Sequence, residues 1–512
     1  MHVYIMRVLY IDIDSLRPDH LGCYGYNRDT TPTIDGLAAD GVVFEECYTS
    51  DSPCLPSRTA LATGRHGIKS GAVTHYGHGQ WYNEPGEGHD QDPDRPLSFR
   101  YLSESGLYTA SVSGFSKRHL AYHFGAGFRE SVQPTANTGR ERAADVTSVA
   151  TDWLDRRASN EDWLLHVNYW DVHHPYDSID DTVSDVRDSG PAPTWPSQDA
   201  INDQQGMTGT RTADLWPSPE LMDRLGVEDG IVQHGEWGMP VRITDREDFK
   251  HIVDGYDASI QIVDHAVDTL LGKLEAEGVR EETTVIVSAD HGEALGEHGI
   301  YAEHSFPHPP CQQVPLIVSG PKIEEGYHVE EKIYQFDLAA TLCDLADLDV
   351  PDRWDAKSVS SALHGNSFDG RDHLVCGHGI FTFGRAVYRD DWVYIRLLHP
   401  GVFSYPGLYN DPDLPGGGLE LLHDRSGDPH MTENLIIDRP AIADEMRALY
   451  DHWLSRAVNS WDTSGEDPLA RTAVESGPFL YVDPESLLQY YRENDRSTKQ
   501  IKVVEQASES LR

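Results

Sequence analysis

The chain is short of lysine. Only nine of its 41 basic residues are lysine, against 85 Asp and Glu, and its formal net charge is -44. The acid is spread along the chain rather than gathered in a tail. No basic surface is left to grip phosphate backbones, so a nucleic-acid partner is not expected. A diffuse acidic shell points to a halophile's protein, since 1 M salt screens self-repulsion over about 3 Å; the alternative is a merely acidic cytosolic protein. Cysteine is also sparse: six residues with no CxxC pair, which favours reduced thiols over a disulfide framework. No hydrophobic run is long enough to span a membrane. Residues 3–11 are apolar but short, lack a basic start and a cleavage site, and run into acids. They read as a buried first strand rather than a signal peptide, and a cytoplasmic location is expected.

What is present is a long chain. Its 512 residues exceed one ordinary core, so a large α/β domain with a smaller appendage is expected. Mean hydropathy is -0.51, but 9% aromatics suffice for a packed interior. Val8–Ile11, Tyr108–Val112, Trp163–Tyr169, Thr284–Ser288 and Val314–Val318 read as strands, several of them unbroken apolar runs suited to a sheet covered on both faces. Thr33–Gly41, Ala143–Leu154 and Ala258–Leu274 carry helical spacing, with Pro32 placed to open the first. This alternation predicts a layered fold with a mostly parallel sheet. Residues 178–245, rich in Asp, Pro, Gly and Ser, read as an insertion near the site's rim, either a lid or a surface loop with no role. Beyond residue 370 the pattern changes. Arg385–Tyr388 and Trp392–Arg396 read as paired strands, and Ala441–Ala457 as a helix. The expected division is 1–370 for the catalytic unit, 371–460 for a small antiparallel sheet with one helix, and 461–512 for a polar extension.

Four clusters of chemically capable residues fall where strands should end, which is where open α/β sheets build sites. They are Asp12-Ile13-Asp14 through Asp19; the run Ser52-Pro53-Cys54-Leu55-Pro56-Ser57-Arg58; Trp170 through Tyr176, with His173 and His174; and Asp290-His291-Gly292-Glu293, followed by Glu303-His304. Taken singly, each has an ordinary explanation: a turn aspartate, a structural histidine, a buried cysteine. Together they offer hard oxygen ligands and one imidazole for a divalent cation: Ca2+, or Mg2+ or Mn2+. Pro56-Ser57 would start a helix whose N-terminus favours an anion. Arg58, Lys117, His119 and His173 would add cationic donors. That equipment suits cleavage of a sulfate or phosphate ester.

These segments resemble the sulfatase family of the alkaline phosphatase superfamily over most of residues 3–455. Cys54-Leu55-Pro56-Ser57-Arg58 with Thr63-Gly64-Arg65 is similar to the family signature, and residues 14–25 and 31–38 to its opening metal strand and first helix. Trp170-Asp171-Val172-His173-His174-Pro175-Tyr176 looks like its histidine loop, and Asp290-His291-Gly292-Glu293 like its second metal segment. The resemblance implies an alkaline-phosphatase-like α/β/α fold with a smaller C-terminal α+β subdomain. It also implies that a separate maturation enzyme converts Cys54 to formylglycine, whose hydrated aldehyde attacks sulfur and then releases sulfate. On this reading Asp14, Asp290, His291 and the residue at 54 hold the metal. Arg58 steadies the hydrate, His119 orients it, and Lys117 binds the ester. His173 binds sulfate, His304 stands near a sulfate-binding lysine position, and either histidine could protonate the leaving oxygen. The implied substrate is a small anionic ester such as a sulfated sugar.

Two departures keep alternatives open. Ser15 and His291 stand where many sulfatases carry aspartate and asparagine, a pattern closer to phosphonate and phosphate diester hydrolases. A phosphonate monoester or phosphodiester hydrolase is therefore the second reading. A non-catalytic anion- or glycan-binding homologue, with Cys54 unmodified, is the third.

Overall fold

The computed structural model describes residues 6–82, 96–136, 141–160, 162–176, 182–205, 227–228, 231–232, 239–240, 243–399, 419–460, 465–475, 477–480, 483–493, 501–502 and 505. Its main sheet has eight strands: β1 (Arg7–Ile13), β2 (Gly41–Phe44), β3 (Tyr108–Val112), β4 (Glu130–Val132), β5 (Trp163–Tyr169), β6 (Thr283–Ser288), β7 (Leu316–Ser319) and β8 (Tyr327–Val329). Their order is β8-β2-β7-β6-β1-β5-β3-β4. Only β7 runs against the rest, antiparallel to both β6 and β2. The sheet is thus mostly parallel, as the alternating pattern predicts.

β1 is central because its sequence tolerates no water on either face. All seven residues of Arg7–Ile13 are buried. Parallel pairing with β5 and β6 satisfies its backbone and sets Asp12 beside both Asn168 and Ser288. The acids that follow β1 and β6 therefore emerge at the same edge, which is the topological reason for a site there.

Helices α1 (Pro32–Ala39), α2 (Cys54–Thr63), α3 (Ala143–Arg157) and α4 (Arg246–Ala276) flank this sheet. α1 and α3 pack on α4, whereas α2 packs on the helices Ser98–Glu104 and Asp337–Leu345. These two groups are the outer layers of an α/β/α arrangement. α4 begins twelve residues before the expected Ala258. Asp245 caps it, accepting from the N–H groups of Glu247 and Asp248 at 2.8 and 3.0 Å. Its early turns bury Phe249, Ile252, Val253 and Tyr256, a helical spacing obscured in the sequence by the acids around it. α4 also caps α1: Asp264 accepts from the N–H groups of Thr33 and Ile34 at 3.0 and 2.9 Å.

A second sheet has five strands, ordered Glu420–Asp424, Trp392–Leu397, Thr382–Arg389, Leu374–Ile380 and Asp51–Ser52. The expected hairpin is present, turning at Asp390 with φ of +49°. α5 (Pro440–Val458) covers this sheet, packing Ala443, Met446 and Tyr450 on Val375, Val387, Tyr394 and Leu422. The strand Asp51–Ser52 belongs to this smaller sheet although it precedes α2 directly. Ser52 is pinned there by His378, with Oγ 2.8 Å from Nδ1. The turn into Cys54 is thus anchored in the smaller sheet.

Much of the expected 178–245 insertion lies outside the described residues. The described part includes helices Thr182–Ser189 and Gln198–Gln205 and a small three-stranded sheet. Much of the C-terminal extension likewise lies outside them. Among the described residues, no helix is long and apolar enough to cross a membrane.

Candidate active site

Cys54 is the first residue of α2, and Arg58 follows one helical turn later on the same face. The Arg58 side chain is buried and meets three carboxylates. Nε and Nη2 donate to Asp12 at 2.7 and 3.1 Å, and Nη1 donates to Asp14 at 2.8 Å and to Asp290 at 2.5 Å. Three acids from two strand ends thus face one guanidinium. Burial and its acidic neighbours Asp14 and Asp12 push the Asp290 carboxyl well above the ordinary range. Charge is out of balance here by two units if all three ionise, which a divalent cation would correct.

Asp12 is occupied by structural work. Besides Arg58, it meets His166 Nε2 at 3.1 Å. Burial raises its carboxyl, but Arg58 and His166 outweigh that and hold it at about 2. Asp14 and Asp290 are left to face Cys54. Ser15 is one departure from the family pattern, and it works within the acid cluster. Its backbone is left-handed, φ +61°, a conformation that costs about 1 kcal/mol or more outside glycine. There its hydroxyl donates to Asp14 at 3.1 Å and its N–H to Asp290 at 3.3 Å. Tyr256 of α4 fixes the turn, donating its hydroxyl to Ser15 O at 2.8 Å.

His291 has its tautomer set. Nδ1 donates to Gly292 O at 2.8 Å, so Nε2 carries the lone pair. That Nε2 lies 3.1 Å from Cys54 Sγ, 3.5 Å from Asp290 and 3.7 Å from Asp14. Burial and His304 lower the imidazole to about 3, so it is neutral, as a ligand must be. One ligand atom from each of Asp14, Cys54, Asp290 and His291 lies within 4.8 Å of all the others. The donor set fits a divalent cation. Burial, with Asp14 and Asp290, pushes the Cys54 thiol well up, so the unmodified residue is no ready thiolate.

The remaining expected residues divide. His173 stacks on Trp170 at 4.7 Å between ring centres and lies 5.0 Å from His304, which is itself 4.4 Å from His291. Nδ1 of His173 donates to His174 O at 2.6 Å, leaving Nε2 as its other polar atom. His119 also reaches the group: ligand atoms of Cys54, His75 and His119 lie within 4.8 Å of one another. Burial and Arg118 lower His119 to about 3. The structure does not bring Lys117 into this group. Lys117 is exposed on the short helix Phe115–Arg118. Its neighbour Arg118 turns inward instead, with its guanidinium carbon 3.7 Å above the Trp170 ring.

Sequence reasoning missed Arg118 and His75. Arg118 adjoined a lysine that fitted the family pattern, and His75 sits in a Gly-rich stretch with no periodicity. His75 approaches from the helix start, its Nε2 accepting from Leu55 N–H at 3.3 Å.

Comparison with known proteins bears on the family and the fold. The family model described as Sulfatase matches residues 7–348. A Delta 4,5-hexuronate-2-O-sulfatase of Bacteroides thetaiotaomicron is 24% identical over 470 residues, covering 88% of this chain and 89% of that protein. A protein solved in complex with its substrate D-glucosamine-2-N,6-O-disulfate superposes with a TM-score of 0.66 at 18% identity, covering 90% of this chain and 100% of the other. A phosphonate monoester hydrolase of Agrobacterium radiobacter shares the fold, with a TM-score of 0.63 at 18% identity, covering 88% of this chain and 95% of that one. With a family model spanning more than half its length, the chain belongs to the sulfatase family.

Proposed function

We propose that this protein hydrolyses sulfate esters with a formylglycine made from Cys54, beside a divalent cation held by Asp14, Asp290, His291 and residue 54. The carrying observation is the placement of Cys54 Sγ 3.1 Å from a neutral His291 nitrogen, at a helix start and among carboxylates in excess of their one guanidinium. When present, the cation lowers the pKa of a neighbouring hydroxyl and balances an anionic ester, and the hydrated aldehyde supplies two hydroxyls where a thiol has none. Ca2+ suits the oxygen-rich set best, with Mn2+ or Mg2+ as alternatives.

The chain's own residues would do the rest. Arg58 holds Asp14 and Asp290 at fixed spacing. His119 orients the hydroxyls of residue 54. Arg118, locked over Trp170, supplies the positive charge for the ester anion on the side where Lys117 was expected. His173 presents Nε2 toward the leaving oxygen; burial and neighbouring His174 keep it neutral in the free protein, and a bound anion favours its protonation. A sulfated sugar is the favoured substrate class, because relatives carry such names: a hexuronate-2-O-sulfatase and a protein bound to glucosamine disulfate.

Asp290-His291 and Ser15 favour one second reading, a phosphonate monoester or phosphodiester hydrolase. The two readings separate on matched aryl sulfate, phosphonate and phosphodiester substrates given to matured protein. The proposal expects the highest kcat/KM on the sulfate; a higher value on either phosphorus ester replaces it with the second reading.

A further inference from the structure

Next to His291, on its His304 side, lies a second group of ligand-type side chains. His174 Nε2 is 3.3 Å from Glu303 Oε2, and His304 Nε2 is 3.9 Å from Glu303 Oε1. One ligand atom from each of these three residues lies within 4.8 Å of the others. Glu303 and His304 are almost fully buried, and the His174 side chain is 15% exposed. Glu293 completes the cluster, 3.6 Å from His304 Nδ1 and fully buried.

An ordinary ion pair between His174 and Glu303 does not account for this group. Neither carboxylate oxygen of Glu293 has a hydrogen-bond partner among the described residues, nor has His304 Nδ1. A buried carboxylate left so costs about 1–3 kcal/mol or more. The nearest guanidinium does not relieve it, since Arg17 Nη1 donates to the Glu293 backbone carbonyl at 3.0 Å and pairs with Glu297. The 3.3 Å between His174 and Glu303 is a metal-centre spacing, and His304, at 3.9 Å, closes on it with a small side-chain shift. Zinc bonds of about 2.0–2.1 Å in a tetrahedron place ligand atoms about 3.3–3.4 Å apart. A carboxylate hydrogen-bonded to the far nitrogen of a ligating histidine is the usual supporting contact, and Glu293, 3.6 Å from His304 Nδ1, stands where a small shift would make it.

We propose that His174 Nε2, a Glu303 oxygen and His304 Nε2 hold a second divalent cation, zinc or manganese, beside the nucleophile, with Glu293 supporting His304. Two imidazoles and one carboxylate select these metals over calcium. The site leaves a ligand position open. It also adjoins the reaction centre: ligand atoms of Cys54, His173 and His304 lie within 4.8 Å of one another. A cation here returns positive charge to a wall carrying two buried carboxylates and offers a Lewis acid to the ester's leaving oxygen. Its catalytic role rests on the proposed function; its occupancy does not.

The test uses the full-length protein, stripped with chelator and reloaded by dialysis against zinc or manganese. Bound metal is counted by mass spectrometry and located by anomalous diffraction. Wild type is expected to hold one ion between His174, Glu303 and His304, and E303Q and H304A to lose that ion alone. D290N is expected to keep it. Near-UV circular dichroism confirms that each variant is folded; should H304A unfold, E303Q and the wild-type anomalous map decide. An anomalous peak only among Asp14, Asp290 and His291, or no bound ion, overturns the second site. A peak at Glu303 with none at Asp290 supports it and counts against the Asp14 centre instead.

Discussion

Arg58 and Asp12 form a two-pronged ion pair with both side chains about 1% exposed, one helical turn from Cys54. The pair fastens the helix that carries the candidate nucleophile to the strand that carries its candidate cation ligands. Removing Arg58 leaves three buried acids without their guanidinium. R58M is expected to lower unfolding stability by about 3–5 kcal/mol, measured by urea denaturation. A change below about 0.5 kcal/mol contradicts the fastening role.

Arg118 and Lys117 should behave differently despite being neighbours. R118A removes the charge stacked on Trp170 and is expected to lower kcat/KM for a sulfate ester about 100-fold, which is about 2.7 kcal/mol of lost transition-state binding. K117A, altering an exposed side chain, should stay within about twofold, since surface changes seldom exceed about 0.5 kcal/mol. Steady-state kinetics of both variants decide. The reverse order would restore Lys117 to the role implied by the family pattern.

How much was legible beforehand follows from what each residue does. Five of the eight main-sheet strands were readable because burial on both faces forces apolar runs; the short strands Gly41–Phe44, Glu130–Val132 and Tyr327–Val329 were not. The first turns of α4 were not, because acids interrupt their buried stripe. Cys54, Asp14, Asp290 and His291 converge because each follows a strand end or starts a helix, and such positions are visible as motifs. The inward turn of Arg118 depends on a four-residue helix, whose phase sequence alone does not fix. Asp51 and Ser52 joining the small sheet was equally hidden, since a two-residue strand has no periodicity.

Asp51 gives the structure a pH signature. Burial raises its carboxyl to about 7, despite a hydrogen bond from Gly67 N–H. Below pH 4 it is protonated both folded and unfolded and costs nothing. Between pH 4 and 7 the unfolded chain ionises it while the folded chain keeps the proton, so stability falls as pH rises. The penalty reaches about 4 kcal/mol by pH 8. D51N is therefore expected to be more stable than wild type at pH 8 and nearly equal at pH 4. Denaturation series at the two pH values check this; an equal difference at both would refute it.

The charge of -44 makes salt a stabiliser. At 0.1 M salt repulsion acts over about 10 Å, and at 1 M over about 3 Å. The melting temperature is expected to rise steadily with KCl or NaCl across this range. A melting temperature that falls on adding salt would contradict acid–acid repulsion as a destabilising force here.

The central claim concerns the chemistry of one side chain. Protein co-expressed with a formylglycine-generating maturation enzyme should show residue 54 lighter than cysteine by about 18 Da in peptide mass spectra. The modified fraction should set the aryl sulfatase rate, and C54A should have none. Unmodified Cys54 protein turning over as fast, or modified protein no faster than C54A, would contradict the account.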